Sequence, residues 1–516
     1  MPNPPRLRAA ALTVTALLLC TPLSGCDDSG TEEDEDLTAQ KLDWKDCPAP
    51  SQSQGDGGAP SPLPNGDEWQ CATLKAPLDW DKPDGETIGI ALIRAGASGD
   101  GNERIGSLVF NFGGPGGSGV TTLPAFAEDY ETLRTRYDLV SFDPRGVGRS
   151  APVKCQDDDA LDTYFQQDMT PDDKAEQENF LDNTKEFNSA CAKNSGRTLP
   201  HVRTTDAARD IDLMRQILGD DELHYFGISY GTELGGVYAH LFPEKVGRAV
   251  FDAVVDPTQT PEQGSLGQAE GFQLALDNYA RDCVAKEEDC PVGDSAEDVK
   301  DRIAQLLKSL DSKPIPGIFP RELTQTAATG GIAQALYSQA FWDYLTEGLE
   351  QAYDGDGSAL MLLSDSMNGR NENGEYSNTT AANTAINCAD AAPRYTVSDV
   401  RARLPRFRAA SPLFGDYLAW GMIGCTDWAV PGAAEHPDVA APGAAPILVI
   451  GNTGDPATPY EGARKMAAAL GEDVGVELTY KGQGHGAYDS GNTCVRDAVN
   501  GYLLNGKVPA AGTVCS

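Results

Sequence analysis

The apolar run LHYFGI (223–228) ends at Ser229, and after only Tyr230 and Gly231 the helical pattern TELGGVYAHLF (232–242) begins. The chain must therefore pass from strand to helix almost at once, with a serine at the corner. So tight a turn leaves room only for small flanking residues, and Gly227 and Gly231 supply them. A strand that feeds a helix in this way belongs in a sheet whose strands alternate with helices. The rest of the sequence keeps that rhythm. SLVFNF (107–112), YDLVSF (137–142), RAVFDAV (248–254) and PILVIG (446–451) read as buried strands, while ETIGIALIRA (86–95) and VGVELTY (474–480) alternate and suit outer strands. The stretch TTDAARDIDLMRQILG (204–219) reads as a helix whose apolar face is Ala208, Ile211, Leu213, Met214, Ile217 and Leu218. The expected class is α/β: a mostly parallel sheet with helices on both faces.

Two stretches break the alternation. Residues 151–203 are polar and acidic, and Cys155 and Cys191 bracket much of them. Residues 257–440 carry helical patterns such as AEDVKDRIAQLLKSL and ALYSQAFWDYLTEGLEQAY but no run of core strands. A stretch of that length needs packing of its own, so it is expected to be a helical cap inserted between two sheet strands. The expected division is a signal peptide at 1–25, an acidic tether at 26–60, the first part of the core at 61–256, the cap at 257–440 and the rest of the core at 441–516.

Arg6 and Arg8 precede AAALTVTALLL, an apolar run of signal-peptide length that is too short to span a bilayer. Leu23-Ser24-Gly25-Cys26 follows and resembles the lipobox of bacterial lipoproteins, which implies cleavage before Cys26 and lipid on its sulfur. The next ten residues, DDSGTEEDED, contain seven acids and read as a solvated tether. The chain is thus expected to be exported and held by lipid at the outer face of the cell membrane. Over all 516 residues, 78 acids stand against 40 Lys and Arg, a net charge of −38. Such a surface repels nucleic acid and anionic lipid headgroups, so neither is an expected partner. Without Cys20 and Cys26, ten cysteines remain, an even number that suits an oxidising compartment. Pairing in sequence order gives short loops: Cys47–Cys71, Cys155–Cys191, Cys283–Cys290, Cys388–Cys425 and Cys494–Cys515. No Cys-x-x-Cys or His-rich cluster suggests a metal, and no cofactor is expected.

Ser229 needs a base, and the chain has five histidines. His485 lies in KGQGHGAYD, a glycine-rich loop just after the last expected strand, where a fold of this layout presents its base. His201, His224, His240 and His436 read as surface or packing residues. The acid that orients the imidazole is expected to be Asp455, in GNTGDPATP after PILVIG, which gives the chain order Ser, Asp, His. Asp256, one strand earlier and just before Pro257, is the alternative. NFGGPGGSG (111–119) follows a strand, and its glycines let main-chain N–H groups approach a developing oxyanion. Gly114 is the expected loop donor, with Gly113 as the alternative, and Tyr230 is the second donor. The loop lacks the Lys-Ser/Thr ending of a phosphate-binding loop and is not a dinucleotide pattern.

NFGGPGGSG, SFDPRGVGRS, GISYGTELGGVYAHLFP, RAVFDAVVDP, GNTGDPATP and GQGHG together resemble the exported tripeptidyl aminopeptidases, α/β-hydrolase-fold serine peptidases related to prolyl aminopeptidases. The similarity runs from about residue 65 nearly to the end, with PLDWDKPDGETIGIALIRA (77–95) like the family's entry strands and the region near 400–515, with CTDW (425–428), like its C-terminal segment. It implies Ser229 as nucleophile, Asp455 as acid and His485 as base. It also implies a peptide substrate with a free N-terminus. Asn111 departs from prolyl aminopeptidases, which often carry histidine there. Asp143 and Arg145 match a family motif and read as structural supports. An exopeptidase must also hold the substrate ammonium with carboxylates, and Asp390, beside Cys388, is a candidate, although it reads more readily as an ordinary structural acid. Two other readings fit the sequence: an esterase using the same triad, and a surface lipoprotein that binds peptides without turnover.

Overall fold

A computed structural model describes residues 36–99, 101–286 and 290–516. The N-terminal apolar run and Leu23-Ser24-Gly25-Cys26 lie outside the described residues. The strands are β1 (Lys45–Asp46), β2 (Gln70–Pro77), β3 (Thr87–Ala95), β4 (Gly106–Asn111), β5 (Tyr137–Phe142), β6 (Leu223–Ile228), β7 (Val246–Asp252), β8 (Ile315–Pro316), β9 (Glu322–Leu323), β10 (Ile447–Gly454), β11 (Gly475–Gln483) and β12 (Thr513–Cys515). Ten of them form one sheet in the order β1-β2-β3-β5-β4-β6-β7-β10-β11-β12, and β8 pairs only with β9. The pairings β1/β2, β2/β3 and β3/β5 are antiparallel. From β5 to β12 every pairing is parallel. This is the α/β-hydrolase arrangement expected from the sequence.

Strand β4 is buried along its whole length, because helices cover both faces of a parallel sheet. The period of two then sorts its residues between two cores. Val109 joins Leu74, Ile90, Val140, Ile211 and Leu234 on one face. Leu108 and Phe110 join Leu139, Phe226, Val250, Leu448 and Leu478 on the other. The alternating runs at 86–95 and 474–480 form β3 and β11, but neither is outermost. β2 and β1 extend the sheet past β3, and β12 extends it past β11. In β2 the inward residues are Ala72, Leu74 and Ala76, with Thr73 and Lys75 outside, a strand signal made mostly of small residues.

The folded chain also begins earlier than residue 61. Leu37, Leu42 and Trp44 pack on the core, and Arg94 stacks over the Trp44 ring at 4.2 Å. That segment was expected to be tether because the acids before it dominate its composition.

Between β7 and β10 the described residues form eight α-helices. The first, Pro261–Ala285, starts where Thr260 and Gln263 cap each other's main-chain N–H groups and Pro261 fixes the first turn. It joins the helices out to Asn368 around a separate core that includes Leu276, Ile303, Leu310, Ile332, Leu345 and Leu360. The later helix Thr379–Asp390 instead packs Ala382, Ala385 and Ile386 against the core of the sheet. The insertion therefore has one part of its own and one part that belongs to the sheet's surface. Among the described residues no helix is long and apolar enough to cross a membrane.

All five cysteine pairs form in sequence order: Cys47–Cys71, Cys155–Cys191, Cys283–Cys290, Cys388–Cys425 and Cys494–Cys515. Cys388–Cys425 closes 37 residues and Cys283–Cys290 only 7. On the chain-entropy argument, removing the first by a double serine substitution costs about 4 kcal/mol and removing the second about 2 kcal/mol. Denaturant unfolding of the two variants is expected to rank them in that order.

Candidate active site

The carboxyl ends of the parallel strands meet at one edge of the sheet, and the loops there carry the residues singled out by the sequence. Ser229 sits between β6 and the helix Tyr230–Leu241 with φ 59° and ψ −127°, outside the helical and extended regions. Main-chain contacts hold it there. Ser229 N donates to Asp252 O at 3.1 Å, and Ser229 O accepts from Thr232 N at 2.8 Å and Thr232 Oγ1 at 2.7 Å. The two glycines are steric requirements. A Cβ on Gly227 would stand 2.4 Å from Gly231 O, and one on Gly231 would stand 2.3 Å from Asn111 O. Gly231→Ala is expected to destabilise the fold by about 1–3 kcal/mol through this overpacking. Denaturant unfolding would measure the loss, and labelling of Ser229 by a fluorophosphonate would slow with it.

The loop after β4 rests directly on this turn. A Cβ on Gly113 would come within 2.8 Å of Ser229 Cβ and 3.0 Å of Tyr230 N. Gly113 N donates to Asn111 Oδ1 at 3.1 Å, so its N–H is already used. Gly114 N makes no hydrogen bond among the described residues, so of the two candidate loop donors Gly113 is the one already engaged. Asn111 is thus a brace for the loop, a role the sequence reading did not give it. Asp143 supports the loop from below: it accepts from Ser118 Oγ at 2.6 Å, Val120 N at 3.2 Å, Arg149 N at 2.9 Å and Gln54 Nε2 at 2.8 Å. Arg145 is buried in an ion pair with Asp210 at 2.6 Å and donates to three main-chain carbonyls. Both are structural, as their positions suggested.

His485 follows β11 and Asp455 follows β10, and the two side chains meet. His485 Nδ1 lies 2.9 Å from Asp455 Oδ1 and 3.0 Å from Oδ2. Asp455 also accepts from Ala457 N and Thr458 N at 2.9 Å each and from Thr458 Oγ1 at 2.9 Å. Burial by itself pulls the His485 imidazole down, but the charge and hydrogen bond of Asp455, with the charge of Asp252, together leave the net displacement above 6.5. With Nδ1 held by the acid, Nε2 is the nitrogen left for a proton from the serine. The Ser229 hydroxyl makes no hydrogen bond to His485 among the described residues.

The insertion reaches this pair. Tyr337, at the end of the helix Gln325–Leu336, accepts from His485 N at 2.7 Å through its carbonyl, and its ring stands edge-on to the imidazole at 5.2 Å. Asn452 clamps both loops: its amide donates to Gly484 O at 2.6 Å and its oxygen accepts from Gly454 N at 3.3 Å and Gly482 N at 3.2 Å. Thr458, Asn452 and Tyr337 were not found from the sequence. Only Thr458 left a local signal, a hydroxyl three residues past an Asp-Pro turn.

The alternatives fall elsewhere. Asp256 pairs with Lys465 at 2.7 Å and accepts from Thr258 N at 2.9 Å, so it anchors a turn rather than the base. Asp390 accepts from Thr204 N at 3.0 Å and Thr204 Oγ1 at 2.6 Å, capping the helix Thr204–Leu218. Burial pushes its carboxyl up to about 6. His224 Nδ1 accepts from Arg248 N at 3.0 Å, and burial pushes that ring down to about 4. His240 contacts Ala440 O at 2.7 Å, and His436 contacts the neighbouring Pro437 O.

Known proteins are similar in sequence over nearly all this length. A profile described as "TAP-like protein" matches residues 411–515. The serine protease Hip1 of Mycobacterium tuberculosis is 37% identical over 525 residues, covering 98% of this chain and 96% of that one. Carboxylesterase B of the same organism is 37% identical over 461 residues, covering 87% of this chain and 86% of its own. Tripeptidyl aminopeptidase of Streptomyces lividans is 32% identical over 488 residues, covering 92% of this chain and 86% of its own.

Proposed function

This chain belongs to the TAP-like family of α/β-hydrolase serine hydrolases, and on that premise we propose that it removes tripeptides from the free N-termini of peptides, using Ser229, His485 and Asp455. His485 Nε2 takes the proton as Ser229 Oγ attacks the peptide carbonyl, while the N–H groups of Gly114 and Tyr230 hold the oxyanion. The imidazolium, steadied by Asp455, then protonates the leaving amine, and water activated by the same nitrogen releases the acyl group. The observation that carries the exopeptidase reading is the contact of Tyr337 with His485. It sets a helical insertion directly over the base, as suits a cleft that admits a chain end and excludes the middle of a chain. We further propose that the protein works outside the cell, held to the membrane by lipid on Cys26.

An unmodified peptide and its N-acetylated twin, followed by mass spectrometry, test the reading. Successive loss of three residues from the free peptide alone is expected, with fluorophosphonate-treated protein inactive. Cleavage of both peptides at internal sites would replace the exopeptidase with an endopeptidase. The 37% identity to a protein named carboxylesterase B favours a second reading, an esterase. Turnover of a simple acyl ester with neither peptide cut would select it.

A further inference from the structure

Asp252 is the last residue of β7 and is buried, with 1% of its surface exposed. Both its carboxylate oxygens accept from Ala487 N at 3.0 Å, and Oδ2 also accepts from Tyr488 N at 2.9 Å. Those two residues follow His485 by two and three positions. Its main-chain carbonyl accepts from Ser229 N at 3.1 Å. One residue thus grips the base loop with its side chain and the nucleophile turn with its backbone. We propose that Asp252 is a positioning residue that sets the separation and alignment of Ser229 and His485.

Three further observations support this assignment. First, Asp252 makes no ion pair among the described residues, and its neighbours within hydrogen-bond reach are N–H donors, which fit the ionised form. A buried anion without a cation is costly, and a neutral side chain could have tied one loop N–H at less expense. Second, the next residue, Ala253, is buried and has φ 53°, a conformation an alanine rarely holds unless its surroundings impose it. That turn ends β7 where the carboxylate can face the base loop. Third, Asn452 holds the same loop on its other side, through Gly484 O. His485 is therefore fixed before and after by buried polar side chains from two adjacent strands.

Asp252 also puts a carboxyl near the imidazole; burial pushes it up, the Tyr488 and Ala487 N–H groups pull it back toward the charged form, and that form raises the ring. The groups facing His485 are the Asp455 carboxylate after β10, the Thr458 hydroxyl, the Asp252 carboxylate at the end of β7 and the Tyr337 ring and carbonyl from the insertion. Of the two carboxylates, Asp455 acts more strongly on the ring and Asp252 adds to it.

The inference rests on Ser229 and His485 acting as proposed above, and the test separates the two. Asp252→Asn keeps the shape but offers one acceptor oxygen and points an N–H₂ at main-chain donors. It is expected to lower kcat roughly 10- to 100-fold with KM nearly unchanged, as a small misplacement of reacting groups does. It is also expected to move the acid limb of kcat/KM to lower pH, because the imidazolium loses a nearby anion. Rate loss that tracks lost thermal stability, with the limb in place, would make Asp252 ordinary structure and overturn the proposal. So would unchanged kcat in a folded variant. If the variant does not fold, hydrogen exchange in the unaltered protein decides: the amides of Ala487 and Tyr488 must be the slowest of the base loop, and fast exchange there overturns the proposal. Fluorophosphonate labelling of the unaltered protein at a residue other than Ser229 would instead sink the triad assignment, and this inference with it.

Discussion

Ser229→Ala is expected to lower kcat for peptide hydrolysis about a millionfold while leaving thermal unfolding almost unchanged. The two halves of that result have separate causes. Attack on the carbonyl requires Oγ, and the oxyanion donors that remain, Gly114 and Tyr230, stabilise a charge that no longer forms efficiently. The turn itself is held by Ser229 N and Ser229 O, through Asp252 and Thr232, and alanine keeps both. Alanine meets the same φ penalty as serine at 59°, so the substitution neither relieves nor adds strain. Steady-state kinetics with differential scanning calorimetry would check both. A variant that keeps a tenth of the activity would place the nucleophile elsewhere.

Asp455→Asn is expected to lower kcat about 10⁴-fold, with a change in pH dependence that serine removal cannot produce. The carboxylate accepts from His485 Nδ1, which leaves Nε2 unprotonated and able to take the serine proton. An amide N–H₂ in that place favours the opposite tautomer. The sign of the pH effect follows from the causes acting on the ring. Burial lowers His485 and the Asp455 charge raises it, with the net result above 6.5 in the unaltered protein. The base works only when neutral, so activity falls as pH drops through that raised value. Without the charge only burial is left to act strongly, and the acid limb moves to lower pH even as the maximum rate collapses. A pH profile of kcat/KM measures the movement. A limb that stays in place would mean that Asp455 is not the partner of the imidazole.

The Asp455–His485 contact and the strained turn at Ser229 were legible because each residue sits in a short contiguous pattern at a strand end. GISYG, GNTGD and GQGHG each contain both the functional residue and the glycines that its turn requires. The same holds for the donors, since NFGGPGGSG carries its permissive backbone in its own letters. What supports these residues was not legible, because the supports are joined only by folding. Asp252 is more than two hundred residues from Ala487, and its own stretch, RAVFDAVVDP, reads as strand and turn whether or not it touches a base loop. Tyr337 bonds His485 N through a carbonyl, which any residue possesses, and its ring meets the imidazole only once the insertion has folded over the sheet. Asp256 illustrates the converse: its position after a sheet strand suited an acid, yet Lys465 on a neighbouring helix claims it.

The edges of the fold were hidden for a different reason. β2 presents alanine where a strand signal would have valine or isoleucine, and β12 is only three residues long. Each is held by its neighbour's hydrogen bonds and by a disulfide, Cys47–Cys71 at one edge and Cys494–Cys515 at the other. A crosslink replaces part of the local preference that a sequence pattern would show.

Among the described residues, the cysteines pair two by two in chain order, so no loop closed by one bridge encloses a cysteine of another. A chain made from its N-terminus exposes each pair together, before the following pair has emerged. The right partner is then also the nearest thiol available, and bridge formation can keep step with synthesis. Denatured and fully reduced protein loses that order, because the ten thiols of these pairs compete at once. Yield should therefore depend on whether oxidation begins on a growing chain or on a finished one.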